Sequence, residues 1–207
     1  ALVNAFSHLD LGAGRPVQVL QTTDSVTITN PGRLPDGVAP ENILHTPRQA
    51  RNPHLMQALS LMGLAGWPVP GIEQIIWAML AEGKEPPVFK ENDQAVSITL
   101  SGWAGFESWP VFIQEETEQG RLLSVDHLLI LHHLLLSADM DSESAALICN
   151  VNEVEAHRLL AEMTEWGYTR HNYAHRDEFW SLQPVMFERV SSEWALIRQR
   201  QLYYRDL

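Results

Sequence analysis

The residues best suited to contact nucleic acid lie in the last third of the chain. Four polar residues fall at the start of a predicted helix that follows a short turn: Asn152, Glu153, His157 and Arg158. The second helix of a helix-turn-helix presents its first residues to the major groove, where arginine bonds guanine and asparagine bonds adenine. The spacing therefore predicts a helix that reads DNA.

A second polar group follows, in a segment predicted as two strands joined by a polar loop: Arg170, His171, His175 and Arg176. Such side chains on a wing would meet phosphate or the minor groove. The alternative is that Asn152 only caps its helix, with Glu155 completing a capping-box pattern, and that the charged residues form a solvated face. Residues 150–182 hold three arginines against six acidic residues, which keeps this alternative open because phosphate neutralisation dominates DNA affinity.

Other chemistries find no support in the sequence. The nine histidines include the adjacent pair His132 and His133, which point in different directions on a helix, and no zinc-site spacing occurs. Cys149 stands in an apolar stretch, where a thiol is usually buried and inert. There is no nucleophile elbow, phosphate-binding loop or dinucleotide fingerprint. We therefore expect neither a metal site nor an enzyme.

The composition is that of a folded chain. Its 207 residues are 45% hydrophobic and 19% charged, and the net charge of −12 leaves no basic stripe. A single cysteine excludes an intramolecular disulfide and favours a reducing compartment, the cytoplasm. The longest apolar run, residues 128–136, is far shorter than the ~20 residues that span a bilayer, so we expect no membrane insertion.

Two domains are predicted, and the first, residues 1–120, is α+β. Strand patterns have period two, and helix patterns place apolar residues on one face. Asn30-Pro31-Gly32 is predicted to end the second strand, and the charged segment 114–120 is interpreted as a solvated linker. The predicted elements are the end of a helix at 1–6, strands at 16–20, 25–29 and 95–100 in one sheet, and two packing helices at 53–63 and 72–83.

The second domain, residues 121–207, is predicted to be a winged helix-turn-helix, because three helices precede a β-ribbon. An amphipathic helix from about Pro184 to Tyr204 follows. Its apolar stripe predicts a homodimer, since two-fold symmetry matches paired DNA half-sites. The alternative is that this helix covers its own domain. The stripe consists of Met186, Phe187, Val190, Trp194 and Ile197.

Three motifs in the first hundred residues resemble a known family. Residues 1–10, ALVNAFSHLD, are similar to its "ALVNAxxHRDY"; residues 28–38, ITNPGRLPDGV, to its "ITNPGGLPxGV"; and residues 51–55, RNPHL, to its "RNPxL". The family is the C-terminal domain of bacterial RecG-like transcriptional regulators, a degenerate relative of the GHKL ATPase fold. The resemblance implies a partial GHKL-like α/β sandwich, an often following winged helix, and a preceding Schlafen-AlbA-type domain. The abrupt start is interpreted as that of a fragment.

The departures from the family pattern argue against ATP hydrolysis. Asn4 resembles the asparagine that helps hold Mg²⁺ in active GHKL enzymes, but no Asp-x-Gly-x-Gly motif follows. Where the family commonly has a Gly-x-Gly-Ile turn before its second helix, this chain has prolines at positions 68 and 70. They stiffen the loop and remove backbone amide donors that a phosphate could use. We therefore expect no cofactor, and we expect Asn4 and His8 to fix their helix against the sheet by hydrogen bonds.

Three hypotheses remain. The leading one is a non-catalytic, DNA-binding transcriptional regulator. The second is a protein-interaction module whose winged helix packs against protein. The third is a nucleotide sensor in which Asn4 and the Asn30-Pro31-Gly32 turn border a pocket for ATP.

Overall fold

The protein divides into two compact units. The computed structural model describes residues 1–46, 50–65, 71–103, 105–174 and 177–191. The first unit comprises residues 1–79 and 85–103, and the second comprises residues 80–84 and 104–207. None of the helices in these described segments has the length and apolar character needed to cross a bilayer.

The first unit is α+β and contains one antiparallel sheet. Its elements are α1 (Leu2–Ser7), β1 (Gln18–Gln21), β2 (Ser25–Pro31), α2 (Pro53–Leu61), α3 (Gly71–Ala81), β3 (Val88–Asn92) and β4 (Ala95–Ser101). The strand order is β1-β2-β4-β3. The strand predicted at 95–100 does join the sheet of the first hairpin, whereas β3, a short edge strand, was not predicted.

Alternation along the strands explains which face of the sheet is buried. Ile28 pairs with Ile98 across β2 and β4, and both pack with Ala5 of α1 in the core. Thr27 and Thr99 point to the other face, where their hydroxyls lie 3.0 Å apart. The apolar face therefore carries the helices and the other face is polar.

The second strand does not end where the sequence predicts. β2 continues through Asn30 to Pro31, which pairs with Ala95. The Pro31 carbonyl accepts the Asp10 N–H at 2.9 Å, away from β4. Because a strand residue aims its amide to the same side as its carbonyl, the missing proline N–H removes no hydrogen bond to β4.

The two helices predicted to pack behave differently. α3 buries Ile76 and Leu80, as expected. α2 has no buried residue, and Met62, just beyond its end, is 70% exposed. α2 contacts α1 through Met56, whose Sδ lies 3.2 Å from the Ser7 hydroxyl, but it is a less buried packing helix than predicted because one of its sides lines a cavity.

The three motif segments meet at Gly32. Arg51 donates to the Arg33 carbonyl at 2.6 Å, and its guanidinium lies 3.7 Å from the Asp10 carboxylate. Gly32 sits between them with φ +107°. A Cβ there would lie 2.9 Å from the Asp10 Cβ and 3.2 Å from Arg51 Nη1. Only glycine fits this junction without displacement.

Helix α1 is anchored by Asn52 rather than by the residues predicted for that role. The Asn52 amide donates to the Leu9 carbonyl at 2.8 Å and to the Phe6 carbonyl at 3.3 Å. No hydrogen bond of the Asn4 or His8 side chain to the sheet occurs among the described residues, so the anchoring role predicted for these two is wrong. The Asn52 side chain makes no capping hydrogen bond to α2, which it precedes, and bonds α1 instead.

The second unit is mainly helical. Its elements are α4 (Trp109–Glu118), α5 (Val125–Leu136), α6 (Ser142–Cys149), α7 (Glu153–Glu165), β5 (Thr169–Ala174), β6 (Asp177–Leu182) and α8 (Pro184–Val190). β5 and β6 form an antiparallel ribbon. Met140, before α6, exchanges backbone hydrogen bonds of 2.8 and 2.9 Å with Trp180 of β6.

The segment interpreted as a solvated linker is instead the end of α4. This helix buries Trp109, Phe112, Ile113 and Glu116. The buried residues recur at positions 109, 112, 113 and 116, so one face of the helix packs while Glu115 and Glu118 on the other side stay exposed. Residues 104–120 consequently belong to the second compact unit.

Glu116 is a fully buried carboxylate that joins α4 to α8 and to the segments that carry Arg121 and Tyr168. It accepts hydrogen bonds from Arg121 at 2.8 Å, from Arg189 of α8 at 2.7 Å, and from the Tyr168 hydroxyl. Burial raises the pKa of Glu116, but these three hydrogen bonds outweigh burial and hold its pKa below the ordinary value. The charged form therefore stabilises the fold.

The C-terminal helix is shorter than predicted. α8 ends at Val190, and Ser191 is extended, so the expected continuous helix to Tyr204 is wrong at this point. Met186 and Val190 are buried within the second unit. Trp194 and Ile197 lie outside the described residues, and the homodimer stays a prediction.

Replacing Gly32 by alanine is expected to lower the free energy of unfolding by about 2 to 4 kcal/mol, because the new Cβ meets Asp10 and Arg51 at a positive φ. Urea unfolding followed by circular dichroism measures this loss. Gly37→Ala is the matched control, since Gly37 has φ +82° but nothing within 4 Å of a Cβ. Equal losses in the two variants would contradict the packing argument.

Glu116→Gln is expected to lower the free energy of unfolding by about 2 kcal/mol near pH 7, because hydrogen bonds to a buried charge are lost. A carboxyl whose pKa is depressed by folding contributes stability above its unfolded pKa, and this is lost as pH falls through the folded value. The gap between the two proteins should therefore narrow as the pH falls below the ordinary glutamate pKa of about 4.3. Glu115→Gln, which removes an exposed partner of Arg189, should have a smaller effect in the same unfolding titrations.

Candidate functional site

The turn between α6 and α7 positions the predicted DNA-reading helix. Asn150 adopts the left-handed conformation, with φ 53°, and ends α6. Asn152 begins α7 with its side chain accepting the Glu155 N–H at 2.9 Å. The capping role considered for Asn152 is therefore present, and the residue is exposed.

Helix α7 has one buried face and one open face. Ala156, Leu159, Leu160 and Met163 are buried. On the open face Val154 is 82% exposed, and the side chains of His157 and Arg158 are about half exposed. The predicted residues of this helix therefore share an accessible surface.

The guanidinium of Arg158 is already paired. It bonds both carboxylate oxygens of Glu155, at 3.0 and 2.6 Å, and one of Glu162 at 2.9 Å. The hydrogen bond to Glu155 is the largest cause that raises the pKa of Arg158. Arg158 can bond a base edge only after exchanging these partners.

Two predicted histidines meet on the ribbon around a residue that sequence reasoning missed. His171 Nε2 lies 2.6 Å from Glu178 Oε1, and His157 Nε2 lies 3.4 Å from the same oxygen. The His171 ring stacks on Trp180 at 4.5 Å. His171 was expected in a loop but lies in β5, opposite Trp180. Cross-strand register, which the local pattern did not reveal, creates this cluster.

The remaining predicted contacts are less organised. Arg170 is exposed on β5 and pairs with Ser181 of β6. His175 and Arg176 lie outside the described residues. Cys149 is buried and burial raises the pKa of its thiol, which agrees with an inert side chain. Within the described segments, no cluster of three potential ligands could hold a metal ion.

The first unit contains a cavity of about 730 Å³, and Asn4 and Asn30 line it. Asn4 Oδ1 lies 3.9 Å from the position that a Cβ on Gly71 would take. Asn4 and Asn30 are two of the residues named in the nucleotide-sensor hypothesis, whereas Pro31 and Gly32 are not among the described lining residues. The walls of the cavity also include one side of α2, among them Met56 and Ser60.

The described walls of this cavity do not fit Mg²⁺-ATP. The arginine among them, Arg33, is 3.4 Å from Glu91, which neutralises it. Burial and the nearby Arg51 lower the pKa of His8, so its neutral form is favoured. No carboxylate stands beside Asn4 in the described lining to complete a magnesium site.

Comparison with protein families identifies the first unit. Residues 14–100 match the family described as putative ATP-dependent DNA helicase recG C-terminal. This segment therefore matches the RecG-like C-terminal, GHKL-like family, and it contains two of the three motifs that predict that family. No curated protein sequence matches the chain.

Comparison with solved structures supports the mixed α+β fold. The chain is similar to the crystal structure of the DIP2311 protein from Corynebacterium diphtheriae, with a TM-score of 0.74 and 23% identity. The similarity covers 91% of this chain and 40% of that protein. The chain thus spans about two fifths of the length of that relative, and the likeness concerns the fold alone.

Asn152→Ala is expected to destabilise the chain by about 1 kcal/mol, since it removes the cap of α7. Asn152→Asp retains an acceptor for the Glu155 N–H, so its free energy of unfolding should stay within a few tenths of a kcal/mol of the wild-type value. Thermal unfolding of the three proteins measures the difference. A loss of equal size in both variants would mean that capping is not what Asn152 contributes.

Proposed function

We propose that the chain is part of a non-catalytic transcriptional regulator that binds DNA through a winged helix formed by α5, α6, α7 and the β5–β6 ribbon. In this proposal α7 enters the major groove and the ribbon is the wing. The observation that carries the proposal is the open face of α7. Its first turns present Asn152, His157 and Arg158 to solvent while the opposite face closes the core.

The arrangement of the neighbouring elements supports the same function. The α6–α7 turn is short and has a left-handed residue, Asn150, which suits two helices that cross at a large angle. The bridge between Met140 and Trp180 ties the start of α6 to the ribbon. Arg170 on the ribbon is exposed and available for a phosphate.

The charges around α7 imply that DNA binding is restrained. Glu155 and Glu162 flank Arg158 and repel phosphate, and both hold its guanidinium. DNA must displace these carboxylates before Arg158 contacts a base or a phosphate. Removing their charge while keeping their shape should therefore strengthen binding.

The combined variant Glu155→Gln, Glu162→Gln is expected to bind DNA about tenfold more tightly than wild type, because it frees Arg158 and removes two negative charges. Arg158→Ala and Arg170→Ala should each weaken binding severalfold. Fluorescence anisotropy of labelled random-sequence and genomic duplexes at low salt measures all of these affinities.

The control variant Glu107→Gln, Glu118→Gln makes the same change in net charge at exposed sites away from α7. It should tighten binding much less. If both double variants gained the same DNA affinity, the gain would be explained by net charge and not by the release of Arg158. Absence of binding by wild type and by the first double variant would contradict the proposal and favour α7 as a protein contact.

A further inference from the structure

The cavity of the first unit is lined by α2, a helix that buries none of its residues. α2 is anchored at its start, where Asn52 bonds α1, yet none of its residues is buried. Met56, Ser60 and Leu61 of α2 line the cavity, and Leu61 is 84% exposed. An apolar helix face normally packs against other side chains, and here it faces about 730 Å³ of open space.

The chemistry of the cavity walls is predominantly apolar. Side chains from the loop before α2, from α3 and from the sheet contribute carbon surface: Leu34, Val38, Ile43, Ile72, Phe89 and Ile98. The volume falls within the range of small-molecule sites, about 300–1,000 Å³, which are lined mainly by hydrophobic residues. Water in such a space gains few hydrogen bonds, so an apolar occupant would be favoured.

A few uncharged polar groups interrupt this surface. Amide side chains of Asn4, Asn30 and Gln57 are among the lining residues. Among the described residues, the Asn4 amide has no hydrogen-bond partner recorded in the structure. Convergent neutral donors and acceptors within an apolar wall orient a ligand by hydrogen bonds without requiring it to carry charge.

We propose that this cavity binds an uncharged, predominantly apolar small molecule that carries hydrogen-bonding groups for the amide side chains. The bound molecule completes the core between α2 and the sheet. This inference does not rest on the proposed DNA-binding function, because it concerns the first unit alone.

The charge of the walls separates this ligand from a nucleotide. A triphosphate requires several cationic or backbone donors and a metal ion. The described lining offers Arg33, which is already paired with Glu91, and no carboxylate for a metal. Transfer of a multiply charged group into these apolar walls would be costly, whereas transfer of a neutral molecule is favourable.

The test uses the intact chain and the neutral fluorescent probe N-phenyl-1-naphthylamine. The probe should bind saturably and raise the thermal unfolding midpoint. Millimolar Mg²⁺-ATP should not displace it. Ser60→Trp, which places an indole in the cavity, should weaken binding at least tenfold. Ala58→Trp, on an exposed position of α2 outside the lining, should bind like wild type.

A second pair of variants decides the matter if Ser60→Trp does not fold. Leu61 and Met62 are adjacent and both largely exposed, but only Leu61 is among the lining residues. Leu61→Asp should therefore weaken probe binding severalfold, and Met62→Asp should not. The proposal is overturned if wild type does not bind the probe, if the members of the folded pairs bind it equally, or if Mg²⁺-ATP competes with it.

Discussion

The first unit depends on the close approach of three chain segments at Gly32, where no side chain can be accommodated. Asp10 and Arg51 meet across this glycine, and Arg51 also holds the Arg33 carbonyl. Asn52, the next residue, bonds the end of α1. The close approach at Gly32 therefore sets where α1, the end of β2 and the start of α2 lie, and these elements contribute walls of the cavity.

A buried charge has the corresponding role in the second unit. Glu116 binds the nearby Arg121 together with Tyr168 and Arg189, which come from distant parts of the chain. A carboxylate that is fully buried and held by several hydrogen bonds cannot belong to a solvated linker, so α4 is part of the core of the second unit. The helix that this packing leaves open is α7, whose outer face carries the proposed DNA contacts.

The two proposals assign different chemistry to the two units. The cavity is neutral and apolar, whereas the open face of α7 is polar and dominated by glutamates. The acidic surroundings of Arg158 make weak DNA binding that depends on local rearrangement the physically consistent expectation. The family match spans residues 14–100, so the function proposed for the second unit rests on the geometry of that unit alone.

The sequence by itself determined the elements whose signals are local. Alternating residues identified β2 and β4, Asn152 identified the start of α7, and the three motifs identified the family. Tertiary structure decided what depends on distant residues: the helix in place of the linker, the continuation of β2 through Pro31, and the meeting of His157 and His171 at Glu178. The physical reason is that periodicity and capping act within a few residues, whereas burial, register and ion pairing join residues far apart in the chain. The cavity beneath α2 is the clearest case, because an amphipathic pattern states which face is apolar but not whether anything fills the space against it.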